Sequence, residues 1–110
     1  SEKIALGKYL DGKVSLVYGT HTHVQTADET ILLEGTGYLS DAGMTGSDNG
    51  IIGMTAEVVI PKFITALPQR FEVADGNERF NGISVVVDEE TGECTEIERI
   101  NLSLKQIEIL

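Results

Sequence analysis

The chain has 110 residues, enough for one domain, and 41% of them are hydrophobic, so a core can form without disulfides or structural metals. Eighteen acids against eight bases give a net charge of −10, which repels phosphate backbones and leaves long nucleic acid an unsuitable partner. The single cysteine, Cys94, forms no intrachain disulfide, no apolar run approaches the ~18 residues of a membrane span, and no signal peptide opens the chain; the expected setting is the cytoplasm, with no membrane partner.

Ser1-Glu2-Lys3-Ile4 opens directly in a helical pattern with no initiator Met, as a piece of a longer chain would. Apolar residues at Ile4, Ala5, Leu6 and Tyr9 or Leu10 predict a short amphipathic helix over 1–10, with Ser1 as its N-cap and Asp11-Gly12 as its end. Residues 14–18, β-branched and aromatic, predict a buried strand. Gly19-Thr20-His21-Thr22-His23 follows at the C-terminal end of that strand, where open α/β sheets usually bind ligands.

Residues 31–33 and 37–40 predict two short strands, and 41–50 form a long glycine-rich polar loop. Residues 55–67 predict a helix with Val58, Val59, Phe63 and Ile64 as its apolar stripe, and with Pro61 imposing a kink or a later start. Alternation over 70–74, 80–87 and 94–104, with turns at 75–77 and 88–92, predicts an antiparallel β meander of about three strands. Gly92 takes the turn position that needs positive φ, and Cys94 is a small strand residue beside it. The fold class is α/β or α+β with a mixed sheet, without internal repeats.

Three nucleotide or cation motifs fail on inspection. Gly7 to Lys13 has the glycine spacing of a phosphate loop, but Val14 replaces the Ser or Thr that should reach magnesium, and helix precedes strand rather than following it. Gly35-Thr36-Gly37 begins a dinucleotide fingerprint, yet Ser40 stands where the third glycine belongs. Asp48-Asn49-Gly50 lacks the alternating acids and the terminal Glu of a calcium loop.

The chain's two histidines stand two apart, at His21 and His23. In extended backbone, residues i and i+2 point to the same face, so two imidazoles can converge on one cation or serve two neighbouring ones. Neutral imidazole is the commonest protein metal ligand. The competing reading is two histidines at a surface strand end with no role. Two donors also cannot complete a metal site, so further ligands must come from Asp28, Glu29, Asp41 or Asp48, from elsewhere in a longer chain, or from a partner.

The run Gly19-Thr20-His21-Thr22-His23-Val24-Gln25-Thr26-Ala27-Asp28 resembles the last metal-binding motif of the calcineurin-like metallophosphoesterases. With Ser1-Glu2-Lys3, Asp41-Ala42-Gly43-Met44-Thr45-Gly46, Gly50-Ile51-Ile52-Gly53-Met54 and Glu98-Arg99-Ile100, it is similar to the C-terminal part of the bacterial 2′,3′-cyclic-nucleotide 2′-phosphodiesterase family. The resemblance implies that residues 1–110 are the C-terminal part of a metallophosphoesterase domain, a four-layer αββα sandwich. It implies two metal ions, iron or manganese, with His21 and His23 as two of their ligands, and a metal-bound hydroxide attacking phosphorus in line. The substrate would be a cyclic nucleotide or another small phosphoester, cleaved to a 3′-nucleotide in the cyclic case.

The family's N-terminal Asp, Glu-Asn pair, Asn-His motif and a further His ligand have no counterpart in these residues, so no catalytic acid is expected here, and the segment alone should bind metal weakly and hydrolyse little. Asp41, Gly43, Thr45 and Gly46 are candidates for substrate contact, Asp41 alternatively for orienting a histidine. A flexible surface loop, with Met44 plugging an apolar gap, is the competing reading of that stretch. Sheet edges left uncovered in a fragment would favour a homo-oligomer, and a metal- or protein-binding module without turnover is the alternative to an enzyme.

Overall fold

The computed structural model describes all residues from Ser1 to Leu110. In chain order it contains α1 (Glu2–Leu10), β1 (Leu16–Tyr18), β2 (Thr30–Ile31), β3 (Gly37–Leu39), β4 (Gly46–Ser47), α2 (Ala56–Thr65), β5 (Glu78–Val87), β6 (Cys94–Ser103) and α3 (Leu104–Glu108). Two three-stranded sheets, ordered β1-β3-β2 and β4-β5-β6, make this a mixed α/β chain, as the sequence predicts. The backbone divides into two compact units, Ser1–Met44 with Asn81–Ile100 and Thr45–Phe80 with Asn101–Leu110.

In the first unit β3 is the central strand. It pairs parallel with β1, Val17 opposite Tyr38, and antiparallel with β2, Thr30 opposite Tyr38. The fully buried strand is therefore β3 rather than β1: Tyr38 and Leu39 are buried, while Tyr18 at the end of the edge strand β1 is exposed. Close packing explains two glycines. A Cβ on Gly7 of α1 would lie 2.6 Å from the Tyr38 ring, and one on Gly37 would lie 2.9 Å from Cys94 Sγ. Parallel strands need a crossover, and here residues 19–36 supply it, carrying both histidines and β2.

Helix α1 forms where predicted, but Ser1 makes no side-chain cap bond. Past its end, Gly12 takes φ +82° and its amide donates to Thr36 Oγ1, 2.8 Å away. Asp11 accepts from the amides of Glu34 and Thr36, tying the helix end to the approach to β3. The β5–β6 turn closes with Asp88 N–H on Glu93 O and Gly92 N–H on Asp88 O, with Gly92 at φ +77° as expected.

In the second unit α2 begins at Ala56 and runs through Pro61 to Thr65, so the later start considered for Pro61 does not occur. Of the predicted stripe only Val59 is buried; Phe63 and Ile64 are exposed. The three-strand meander is also corrected. Residues 70–74 form one isolated bridge, Val73 to Met54, and the strand beside β5 is β4, with Gly46 opposite Arg79. The last alternation ends early, because Ser103 and Gln106 form a reciprocal capping box that starts α3.

Candidate metal centre

Strand β1 ends at Tyr18, but the parallel ladder continues one step, with Gly19 N–H on Leu39 O and Ala42 N–H on Gly19 O. A Cβ on Gly19 would collide with the Ser40 carbonyl, so the chain turns there at a position only glycine fits. Residues 21–24 are a series of bends. This corrects the extended backbone assumed for the two histidines: His21 has φ +109° and His23 has φ +65°. For residues with a Cβ such conformations cost on the order of 1–3 kcal/mol each and persist where the surroundings enforce them.

The enforcing groups are visible. Asp41 follows β3, and its side chain is 1% exposed. Its Oδ2 accepts from Thr22 N–H (2.9 Å), Thr22 Oγ1 (2.6 Å) and Lys3 Nζ (3.2 Å), and its Oδ1 accepts from Gly43 N–H (2.9 Å). Burial opposes ionisation of this carboxyl, but the bonds from Thr22, Gly43 and Lys3 outweigh it and hold its pKa far below the usual carboxylate range. Lys3 also donates to the Thr20 carbonyl at 2.7 Å.

A second layer of ties lies after the histidines. Thr26 N–H donates to Asp41 O, and Thr26 Oγ1 accepts from Asp41 N–H. The Asp28 carboxylate receives Thr26 Oγ1 at 2.6 Å and both the amide and the hydroxyl of Ser40. Burial pulls against the Asp28 charge, yet those bonds lower its pKa. Gln25 Nε2 donates to the carbonyls of Ile100 (2.8 Å), Gly82 (3.2 Å) and Ala42 (3.3 Å).

Thus Thr22, Gln25, Thr26 and Asp28 spend their side chains on the scaffold. Among the polar residues of the run, only Thr20, His21 and His23 do not, and both histidines are exposed. Two exposed imidazoles without protein hydrogen bonds are a donor set suited to metal. They are also incomplete: no group of three or more His, Cys, Asp or Glu that could hold a metal ion occurs in these 110 residues.

The loop candidates fall in different places. Asp41 and Gly43 share the first unit with the histidines, while Thr45 and Gly46 belong to the second. Asp41 faces the loop interior, and the Gly43 amide is occupied by Asp41. Thr45 is exposed and Gly46 lies in β4. Residues 47–49 are tied to the turn after position 74: Ser47 Oγ to Gly76 O, Asp48 N–H to Asn77 O and Asn49 Nδ2 to Asp75 O. The roles of Lys3, Gln25 and Ser40 are not legible locally, because they depend on partners 17 to 75 residues away, or on a chain of contacts through Asp28.

Residues 1–100 match the sequence profile described as YmdB-like protein. Over 100 residues the chain is 53% identical to the 2′,3′-cyclic-nucleotide 2′-phosphodiesterase of Bacillus subtilis (strain 168), a match that covers 91% of this chain and 38% of that protein. The crystal structure of a novel phosphatase from Mycoplasma pneumoniae superposes with a TM-score of 0.88 at 32% identity, over 97% of this chain and 40% of the other. That of a hypothetical protein from Thermus thermophilus gives 0.87 at 43% identity, over 93% and 40%. The chain therefore spans about two-fifths of the length of these relatives.

Proposed function

This chain belongs to the YmdB-like protein family, and we propose that it is the part of a metal-dependent phosphodiesterase that supplies His21 and His23 to a dinuclear centre acting on 2′,3′-cyclic nucleotides. The observation that carries the proposal is the pair of exposed, unbonded imidazoles held at positive φ by a loop whose Thr22, Gln25, Thr26 and Asp28 side chains are all hydrogen-bonded. The cyclic-nucleotide substrate is supported by the name of the Bacillus subtilis relative, 53% identical over the matched residues. Hydrolysis at the 2′ ester would leave a 3′-nucleotide.

His21 and His23 would be two of the ligands, carried on a loop whose backbone is restrained by the bonds of Thr22 and Thr26 to Asp41. The remaining ligands and the proton donor to the leaving oxygen come from groups outside this donor pair. Bound iron or manganese would supply positive charge for the phosphate oxygens and lower the pKa of water. This supply also reconciles an anionic substrate with a chain of net charge −10.

The test is hydrolysis of 2′,3′-cyclic AMP by the full-length protein and by His21→Ala and His23→Ala. Each substitution should lower kcat/KM by ~100-fold or more, equivalent to ~2.7 kcal/mol of transition-state stabilisation. Wild-type rates in both variants would refute the assignment.

A further inference from the structure

Thr22 sits between the two left-handed histidines, and its amide and hydroxyl both end on one oxygen of Asp41. On the far side of the pair, Thr26 exchanges two further bonds with the Asp41 backbone. On the near side, Lys3 from α1 links the Thr20 carbonyl to the same carboxylate oxygen. Positions 20, 22 and 26 are thus pinned and positions 21 and 23 are presented, with Asp41 common to all three restraints. We infer that Asp41, backed by Lys3, is a positioning residue that preorganises both imidazoles by fixing the loop backbone, touching neither metal nor substrate. The inference rests on the metal-ligand reading of His21 and His23.

The geometry separates this role from two others. A direct ligand needs a free oxygen lone pair facing outward, whereas the Asp41 side chain is 1% exposed and both its oxygens accept bonds from within the unit. A direct hydrogen bond to an imidazole, the usual way a carboxylate orients a metal-binding histidine, is absent: Asp41 reaches the histidines through the residue between them. The Thr22 side chain is itself the adjustable part of this linkage, since serine keeps the hydroxyl and valine removes it while keeping the shape.

The experiment is calorimetric titration of the metal-free full-length protein with manganese chloride, alongside far-UV circular dichroism and thermal melting. The variants are Asp41→Asn, Thr22→Val, Thr22→Ser and, as reference, His21→Ala. Asp41→Asn places an amide N–H against donors and should weaken manganese binding ~10-fold or more, with Thr22→Val losing ~3- to 10-fold and Thr22→Ser staying within about twofold of wild type.

Wild-type manganese affinity in Asp41→Asn and Thr22→Val, with His21→Ala impaired, overturns the positioning role and leaves the ligand assignment standing. Wild-type affinity in His21→Ala overturns the ligand assignment itself. If Asp41→Asn does not fold, the Thr22 pair decides: equal affinities in the valine and serine variants contradict the inference, and a loss confined to valine supports it.

Discussion

In residues 19–28 the side chains of Thr22, Gln25, Thr26 and Asp28 all make hydrogen bonds, and the backbone they hold includes two histidines at positive φ. In α2 and the segment after it, Phe63, Ile64 and Val73 are 80%, 78% and 78% exposed, and Val59 is the one buried apolar side chain. Both segments carry strong local patterns, yet the patterns constrain different things. Hydrogen bonds are directional and costly to leave unmade when buried, so a dense polar network selects one backbone path and sustains strain. Apolar periodicity suffices to form a helix, and it leaves open what lies against the apolar face.

The largest effect that would break this contrast belongs to the glycine beside the anchor. Gly43 has φ +79°, and a Cβ there would meet Gln25 at 2.9 Å on Cβ and 3.0 Å on the backbone nitrogen. Gly43→Ala should destabilise by ~1–3 kcal/mol, read from urea midpoints. A neutral result would mean that the loop relaxes freely and the network is not rigid.

The acid limb sharpens the same point. Because folding depresses the Asp41 pKa, its ionised form stabilises the fold fully above its unfolded value of ~3.9, and that contribution fades as pH falls below it toward the folded value. The stability gap between wild type and Asp41→Asn should therefore be constant from about pH 7 to pH 5 and shrink below about pH 4. Taking the difference removes the general relief of repulsion expected when a chain of −10 is protonated. A gap independent of pH down to about 3 would contradict the charged anchor. The smallest effect is on the other side of the comparison: Phe63→Ser should change stability by no more than ~0.5 kcal/mol and leave manganese affinity unaltered. A large loss would show that this face is covered in the full-length protein.

How much was legible follows from the range of the interactions. Helix α1, the β5–β6 turn with Gly92 and the placement of Cys94 depend on local periodicity and turn chemistry, and they appear where expected. The capping box at Ser103 and Gln106 was equally local, but the alternating Leu102 and Leu104 favoured extending the strand over it. By contrast, β4 forms through pairing with the distant Glu78 and Arg79, and no composition in 46–47 announces a strand. The histidine spacing and the family likeness were plain in the sequence. The backbone at His21 and His23 was not, since Thr-His-Thr-His reads as extended and its actual path is set by Asp41 and Lys3, 19 and 17 residues distant from the positions they hold.

If the loop presents two imidazoles to metal, as proposed, metal retention by the His21→Ala, His23→Ala double variant tests it most directly. The full-length protein, loaded with manganese and dialysed, should retain two ions per chain in the wild-type form, as the two-metal reading requires. The double variant should lose at least one of them while its far-UV spectrum is unchanged. Equal manganese content in the two proteins would contradict the account.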